Sequence, residues 1–150
     1  MDYRKAIVED IDKLIEIRIE MRNQREDSTN IDSKIFYSNT FEYYKTHIMD
    51  ESFISWIALD GEKIIATSGI CFYSVPPTYS NMSGLVAYVM NMYTKPEYRL
   101  KGIAATLLAH LLDEAKQRQC EKITLNTSRM GRHLYEKYGF IDVNDYMELF

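Results

Sequence analysis

The spacing of apolar residues changes period along the chain and sorts it into elements. Tyr3 to Ile7 reads as a short opening strand. Ile11, Leu14, Ile15 and Ile19 fall at i, i+3, i+4 and i+8, the stripe of an amphipathic helix. Gln24 to Ser33 is polar and reads as a loop. Tyr37, Phe41, Tyr44 and Ile48 then predict a second helix with an aromatic face, whose rings are expected to pack inward with hydroxyls near the surface. From Phe53 the pattern becomes strand-like through Leu59. Asp60-Gly61 marks a hairpin turn, and Lys63 to Phe72 resumes as a strand. Pro76-Pro77 opens a loop that runs to Gly84, and Leu85 to Tyr93 is a further apolar strand. A turn through Pro96 and Gly102 leads into a helix with Ala104, Leu107, Leu108, Leu111, Leu112 and Ala115 on one broad face. Lys122 to Asn126 predicts a strand, Arg129 to Tyr138 a short helix, and Phe140 to Phe150 a closing strand region. Strands and helices in this order imply one mixed sheet with helices packed on it, an α/β or α+β fold.

Length and composition narrow the class. One hundred and fifty residues, 46% of them apolar and 27% charged, suit a single globular domain over residues 1–150 rather than a disordered or fibrous chain. A net charge of −4 argues against a general nucleic-acid binder. No apolar run approaches the roughly 20 residues of a membrane span, and no apolar block follows the first residues as in a signal peptide. Cys71 and Cys120 have neither disulfide-framework density nor zinc spacing. The expectation is a soluble, cytoplasmic protein without a metal. Charge is uneven: residues 1–62 carry 8 basic and 14 acidic side chains, residues 63–150 carry 10 and 8. Such a division could serve a cationic substrate and an anionic cofactor, although solvated surface explains it more simply.

Candidate chemistry concentrates in Asn91-Met92-Tyr93-Thr94-Lys95-Pro96-Glu97-Tyr98-Arg99-Leu100-Lys101-Gly102-Ile103-Ala104. Here Gly102 and the small Ala104 stand between a buried strand and the first turn of a helix. First-turn N–H groups have no partner inside the helix, and its dipole adds partial positive charge. A diphosphate can accept those hydrogen bonds when no side chain holds it off, and Arg99 and Lys101 add formal charge. The sequence has no Gly-x-x-x-x-Gly-Lys-Ser/Thr and no Gly-x-Gly-x-x-Gly, which disfavours the common nucleotide loops. Alone, an Arg/Gln-x-x-Gly-x-Gly/Ala turn arises by chance in about one chain in seven of this length. Its context is what distinguishes it. The turn follows a strand, opens a long helix, and is succeeded about thirty residues later by Leu134-Tyr135-Glu136-Lys137-Tyr138-Gly139-Phe140.

Together these segments resemble the GNAT superfamily of acyl-CoA-dependent N-acetyltransferases. Arg4, Ala6, Asp10 and Leu14 also fit the family's loose opening pattern. The resemblance implies a mixed, mostly antiparallel sheet with a splayed central strand pair and about four helices. It implies acetyl-CoA as acetyl-donor cosubstrate and a small-molecule or peptide amine as acceptor. Nucleic-acid and membrane partners are not expected, and a homodimer is compatible with the family. By position, Met92, Tyr93 and Thr94 would lie beside the pantetheine arm, with the Met92 amide donating to the thioester carbonyl. Arg99, Leu100, Lys101, Gly102, Ile103 and Ala104 would surround the diphosphate. Tyr135 matches the tyrosine that protonates the leaving thiolate in many members; as a plain structural residue it would pack on its helix.

Two positions depart from the family's pattern. Ser128 and Gly131 stand where Asn and Ala are frequent. Glycine inside a helix costs on the order of 1 kcal/mol relative to alanine, so a frayed or closely packed first turn is expected there. No Asp, Glu or His lies in Leu85 to Tyr93 to act as a direct base. Glu20, Glu26 and Asp27 could attract a cationic amine, or be surface acids. His47, His110 and His133 lack a partner pattern. A non-catalytic acyl-CoA sensor on the same fold, or a structural domain without a cofactor, stays open at this point.

Overall fold

The computed structural model describes residues 1–25 and 31–150. Its strands are β1 (Asp2–Lys5), β2 (Phe53–Ile54), β3 (Trp56–Asp60), β4 (Lys63–Ser74), β5 (Leu85–Thr94) and β6 (Lys122–Leu125). The helices are α1 (Ile11–Arg25), α2 (Ser33–Met49), α3 (Ile103–Gln117) and α4 (Arg132–Lys137). The expected fold class holds. One sheet runs β1-β3-β4-β5-β6, with β2 also on β4, and every pairing is antiparallel except β5 with β6. None of the described helices is long and apolar enough to cross a membrane.

The sheet separates two apolar layers. Ile11, Leu14, Ile15, Ile17 and Met21 of α1 pack with Tyr44 of α2 over Phe53, Ile57 and Tyr93. On the other face, Leu107, Leu108, Leu111 and Ala115 of α3 pack against Ile54, Ile65, Ile70 and Val89. The helical stripes read from the sequence are these two buried faces. Phe53 to Leu59 is two strands rather than one, broken at Ser55, whose carbonyl accepts the Ala6 amide at 2.8 Å. Gly61 turns the β3–β4 hairpin at φ +62°.

The expected closing strand does not form. Residues 141–150 have no regular structure, and Ile141, Met147, Leu149 and Phe150 are exposed. Asp142, Asn144 and Asp145 are poor strand residues. Asp142 is also drawn back to α4 by Arg132, which donates to both of its carboxylate oxygens at 2.7 and 2.8 Å. Phe140, by contrast, packs edge-on against Tyr135 with ring centroids 5.9 Å apart.

The chain's entry into α1 rests on Asp10, which caps a short turn at Val8–Asp10. Its carboxylate accepts from Arg4 at 2.7 and 3.0 Å and from the Ile7 amide at 2.8 Å. Burial raises the Asp10 pKa, but the Arg4 and Ile7 hydrogen bonds more than offset it and hold it below the ordinary carboxylate value. A carboxylate depressed in the folded state adds stability above its unfolded pKa, and that stability is lost as pH falls through the folded value. Asp10→Asn is therefore expected to cost about 1–2 kcal/mol at neutral pH. In urea titrations, the gap between wild type and variant should close below about pH 4.

Candidate functional site

The site is organised by β5, which is paired on both edges for only half its length. Val86 to Val89 pair with Lys122 to Leu125 of β6, and from Met90 onward that edge has no strand neighbour among the described residues. On the opposite edge Met90 faces Gly69 and Tyr93 faces Thr67, so Asn91 and Met92 together stand opposite Ser68. This is a β-bulge, a device that re-aims backbone groups. Asn91 takes φ +57°, a left-handed conformation that asparagine tolerates better than most residues. Three contacts hold it: Arg18 donates to Oδ1, Nδ2 donates to the Tyr44 hydroxyl at 2.8 Å, and the Asn91 carbonyl accepts from Thr67 Oγ1 at 3.0 Å.

The residues singled out on β5 divide between its faces. Met92 packs on the α3 side, whereas Tyr93 is buried in the α1–α2 layer. The Tyr93 hydroxyl accepts from Gln24 at 2.8 Å and donates to Glu20 at 2.7 Å. That hydrogen bond, followed by Lys95 at 3.2 Å, holds the Glu20 carboxyl below its ordinary pKa against the effect of burial. Glu20 is thus an ionised tie between α1 and β5, its charge already matched. Glu26 and Asp27, the other two acids considered, lie outside the described residues.

A turn at Pro96–Tyr98 leads to the glycine segment. Leu100 and Gly102 both have left-handed backbones, at φ +63° and +79°, and Gly102 is the N-cap of α3 without any side-chain cap. The first-turn amides of Ile103, Ala104 and Ala105 consequently lack intrahelical acceptors. Ile103 turns its side chain into the core, Ala104 is half-buried, and Leu100 is fully exposed. A Cβ built on Gly102 would meet nothing within 4 Å, so the space beside these amides opens outward. An anion fits there. The two basic residues make contacts of their own. Arg99 donates to the Thr94 carbonyl at 2.9 Å and lies over the Tyr93 ring, and Lys101 Nζ lies 5.3 Å from the Tyr98 ring centroid.

Tyr135 on α4 is 8% exposed, and burial raises its pKa, with Arg25 of α1 opposing. Its hydroxyl has no hydrogen-bond partner among the described residues. A Cβ on Gly131 would sit 2.9 Å from the Tyr135 ring, so the glycine there makes room for the tyrosine, the closely packed turn expected from the sequence. Ser128 Oγ accepts the Gly131 amide at 3.2 Å and acts as a local turn residue. His47 bonds Ser52 at 2.6 Å, and His110 stacks on Trp56 with centroids 3.9 Å apart, both structural roles.

Met90 and Asn91 also border a pocket of about 360 Å³, walled by Arg18 of α1 and by Phe36, Asn39, Thr40, Tyr43 and Tyr44 of α2. Burial, with Cys71 alongside, pushes the Tyr43 hydroxyl up to about 12, and burial raises Tyr44 too, so both stay protonated. Sequence reasoning missed Arg18 and this pocket, and gave Asn91, the first residue of the candidate stretch, no role of its own. The signal present was Asn91, a strand-averse residue inside an otherwise apolar run.

The chain matches the model of the acetyltransferase (GNAT) family over residues 15–140. It is similar to a crystal structure of a predicted acetyltransferase with acetyl-CoA from Clostridium acetobutylicum. The two are 39% identical with a TM-score of 0.92, covering 99% of this chain and 94% of that one. A GCN5-related N-acetyltransferase from Ralstonia eutropha JMP134 shares the fold at 20% identity and a TM-score of 0.88, over 99% and 97% of the chains. The uncharacterized N-acetyltransferase YsnE of Bacillus subtilis is 35% identical over 57 residues, a match spanning 35% of this chain and 38% of that protein's length. Since the family model covers residues 15–140, most of the chain, the chain belongs to the GNAT acetyltransferase family.

Proposed function

We propose that residues 1–150 form one N-acetyltransferase domain, which moves an acetyl group from acetyl-CoA to a primary amine in a ternary complex. The observation that carries this is the edge of β5 that has no strand neighbour from Met90 onward among the described residues, followed along the chain by the open amide-lined turn at Gly102. The acyl donor, when bound, supplies an activated thioester. The amine's lone pair forms the new C–N bond and the C–S bond breaks. An entering ammonium loses two protons in all: one ends on the leaving sulfur to give the thiol, and the other passes to solvent.

The chain's residues would divide the work as follows. Backbone of Met92, Tyr93 and Thr94 pairs with the donor's arm. The Met92 amide meets the carbonyl oxygen as it gains charge. Leu100 to Ala104 hold the diphosphate by backbone amides, while Arg99 fixes the preceding strand end. Tyr135 donates to sulfur, and its burial-raised pKa makes it a weak acid suited to a thiolate only once charge has grown there. The pocket beside Asn91 takes the acceptor, which makes it the specificity site.

A second reading, a non-catalytic acyl-CoA-binding module, is favoured by one feature: no acid or histidine borders the acceptor pocket among the described residues. Release of CoA thiol in the presence of an amine panel separates the two readings, since a binding module gives none.

Gly102→Val is expected to leave the fold intact, because a Cβ there meets nothing, but to fill the cradle and strain its φ of +79°. Calorimetric titration of the folded variant should show severe loss of CoA binding; wild-type affinity would remove the diphosphate assignment. Tyr135→Phe keeps the ring's packing and removes only the hydroxyl. It should lower kcat by about 10²–10⁴-fold while changing acetyl-CoA binding little. Turnover within about twofold of wild type, with chemistry rate-limiting, corresponds to less than about 0.5 kcal/mol and would make Tyr135 a packing residue.

A further inference from the structure

One wall of the pocket beside Asn91 is a face of α2 on which Phe36, Thr40 and Tyr43 stand at i, i+4 and i+7, and Met90 of β5 lines the sheet side. This is not the face that α2 gives to the core. The buried layer takes Tyr44, with Tyr37, Phe41 and Ile48 packed against it, and includes neither Phe36 nor Tyr43. Tyr43 is held by His47, Tyr44 and Phe53, with ring centroids 4.2, 6.1 and 5.7 Å away, yet 37% of it stays exposed. Two aromatic rings outside the core therefore border the pocket, and one of them is fixed by its neighbours.

The polar groups of the lining are engaged with one another. Asn91 bonds Arg18 through Oδ1 and Tyr44 through Nδ2, and Thr40 Oγ1 donates to the Phe36 carbonyl at 2.7 Å. The Tyr43 hydroxyl hydrogen-bonds Cys71, so what Tyr43 offers the pocket is its ring. A ligand entering here meets rings, a thioether and groups whose hydrogen bonds are already made. Such a wall selects by shape and apolar contact. Aromatic side chains attract further rings edge-on or offset, and a methionine sulfur favours ring contact while adapting to its shape. The volume of about 360 Å³ is near the lower end for small-molecule sites.

Resting on the transferase reading above, we infer that the acceptor is a small arylalkylamine, a primary amine whose aromatic ring lies among Phe36, Tyr43 and Met90. Asn91 adjoins Met92 in the strand, so a ring held beside Met90 leaves its amine, on a short alkyl chain, close to the backbone proposed to hold the thioester. A plain alkylamine gains burial in this pocket but no ring–ring or sulfur–ring contact. A polyamine or a free amino acid brings a further charge to a lining whose polar groups are already paired, and desolvating that charge opposes binding.

The test uses the full chain with acetyl-CoA and three sets of acceptors: phenethylamine, tyramine and tryptamine; hexylamine; and spermidine with the standard amino acids. CoA release is followed, and acceptor binding to the CoA-saturated protein is measured by calorimetry. The expected result is at least one arylalkylamine with kcat/KM about tenfold or more above hexylamine, with the same order in binding. In Phe36→Leu, shown to be folded by its melting curve, that ratio should fall towards one, mainly through KM, and Phe36→Tyr, which keeps a ring, should retain most of it. Equal or better use of hexylamine, spermidine or any amino acid overturns the inference. So does an equal loss for arylalkylamines and hexylamine in Phe36→Leu, which would make Phe36 only a support for α2. If no panel member is bound or acetylated while acetyl-CoA binds, the inference also falls. Failure of the wild type to bind acetyl-CoA overturns the transferase reading itself, and the acceptor inference with it.

Discussion

Opening a sheet in mid-strand leaves backbone N–H and C=O groups without ladder partners, and each such group costs free energy if it is buried unsatisfied. The molecule is arranged around that constraint. β5 keeps its antiparallel neighbour β4 along almost its whole length but leaves β6 after Val89. At the point of departure the strand bulges, and Asn91 adopts a left-handed backbone. Such a residue is stable only when its surroundings over-determine it. Here α1 supplies Arg18, α2 supplies Tyr44 and β4 supplies Thr67. Elements far apart in sequence thus converge on one asparagine, beside an edge of β5 that has no strand neighbour among the described residues.

The bulge also allots consecutive residues to different tasks. Met92 packs on the α3 side with the turn that follows it, while Tyr93 is locked into the α1 layer by Glu20 and Gln24. Arg99 reinforces this lock by bonding the Thr94 carbonyl and covering the Tyr93 ring. A basic residue beside a phosphate-binding turn reads naturally as a phosphate ligand. Its geometry here makes it a brace for the strand end. The first-turn amides of α3 stand beside open space at Gly102, where a Cβ would meet nothing within 4 Å.

Much of this was legible in the sequence because it depends on local rules. Helical periodicity located α1, α2 and α3 by the faces they bury, Asp60-Gly61 located the hairpin, and the glycine between a strand and a helical stripe located the turn into α3. Gly131 could be read as either frayed or crowded, and the crowding against Tyr135 is a tertiary fact that no local pattern contains. The closing strand failed because apolar residues alternating with Asp and Asn resemble a strand by period but not by propensity, and because Arg132 captures Asp142. The pocket beside Asn91 was not legible at all. Arg18 and Asn91 are 73 residues apart, and nothing in either neighbourhood announces the other.

Net charge was the least informative sequence property, for a physical reason. The acidic excess of residues 1–62 is an average over a half-chain, whereas a bound ligand responds to groups within about a Debye length, near 8 Å at physiological ionic strength. Within that range, pairing decides the sign. Glu20 is matched by Lys95, Asp10 by Arg4 and Glu114 by Lys5, so several acids of the chain are already engaged by cations. Arg18 spends its geometry differently, bonding Asn91 Oδ1 and lying near the Phe36 ring, so that it ties α1 to β5 and α2 at the wall of the pocket.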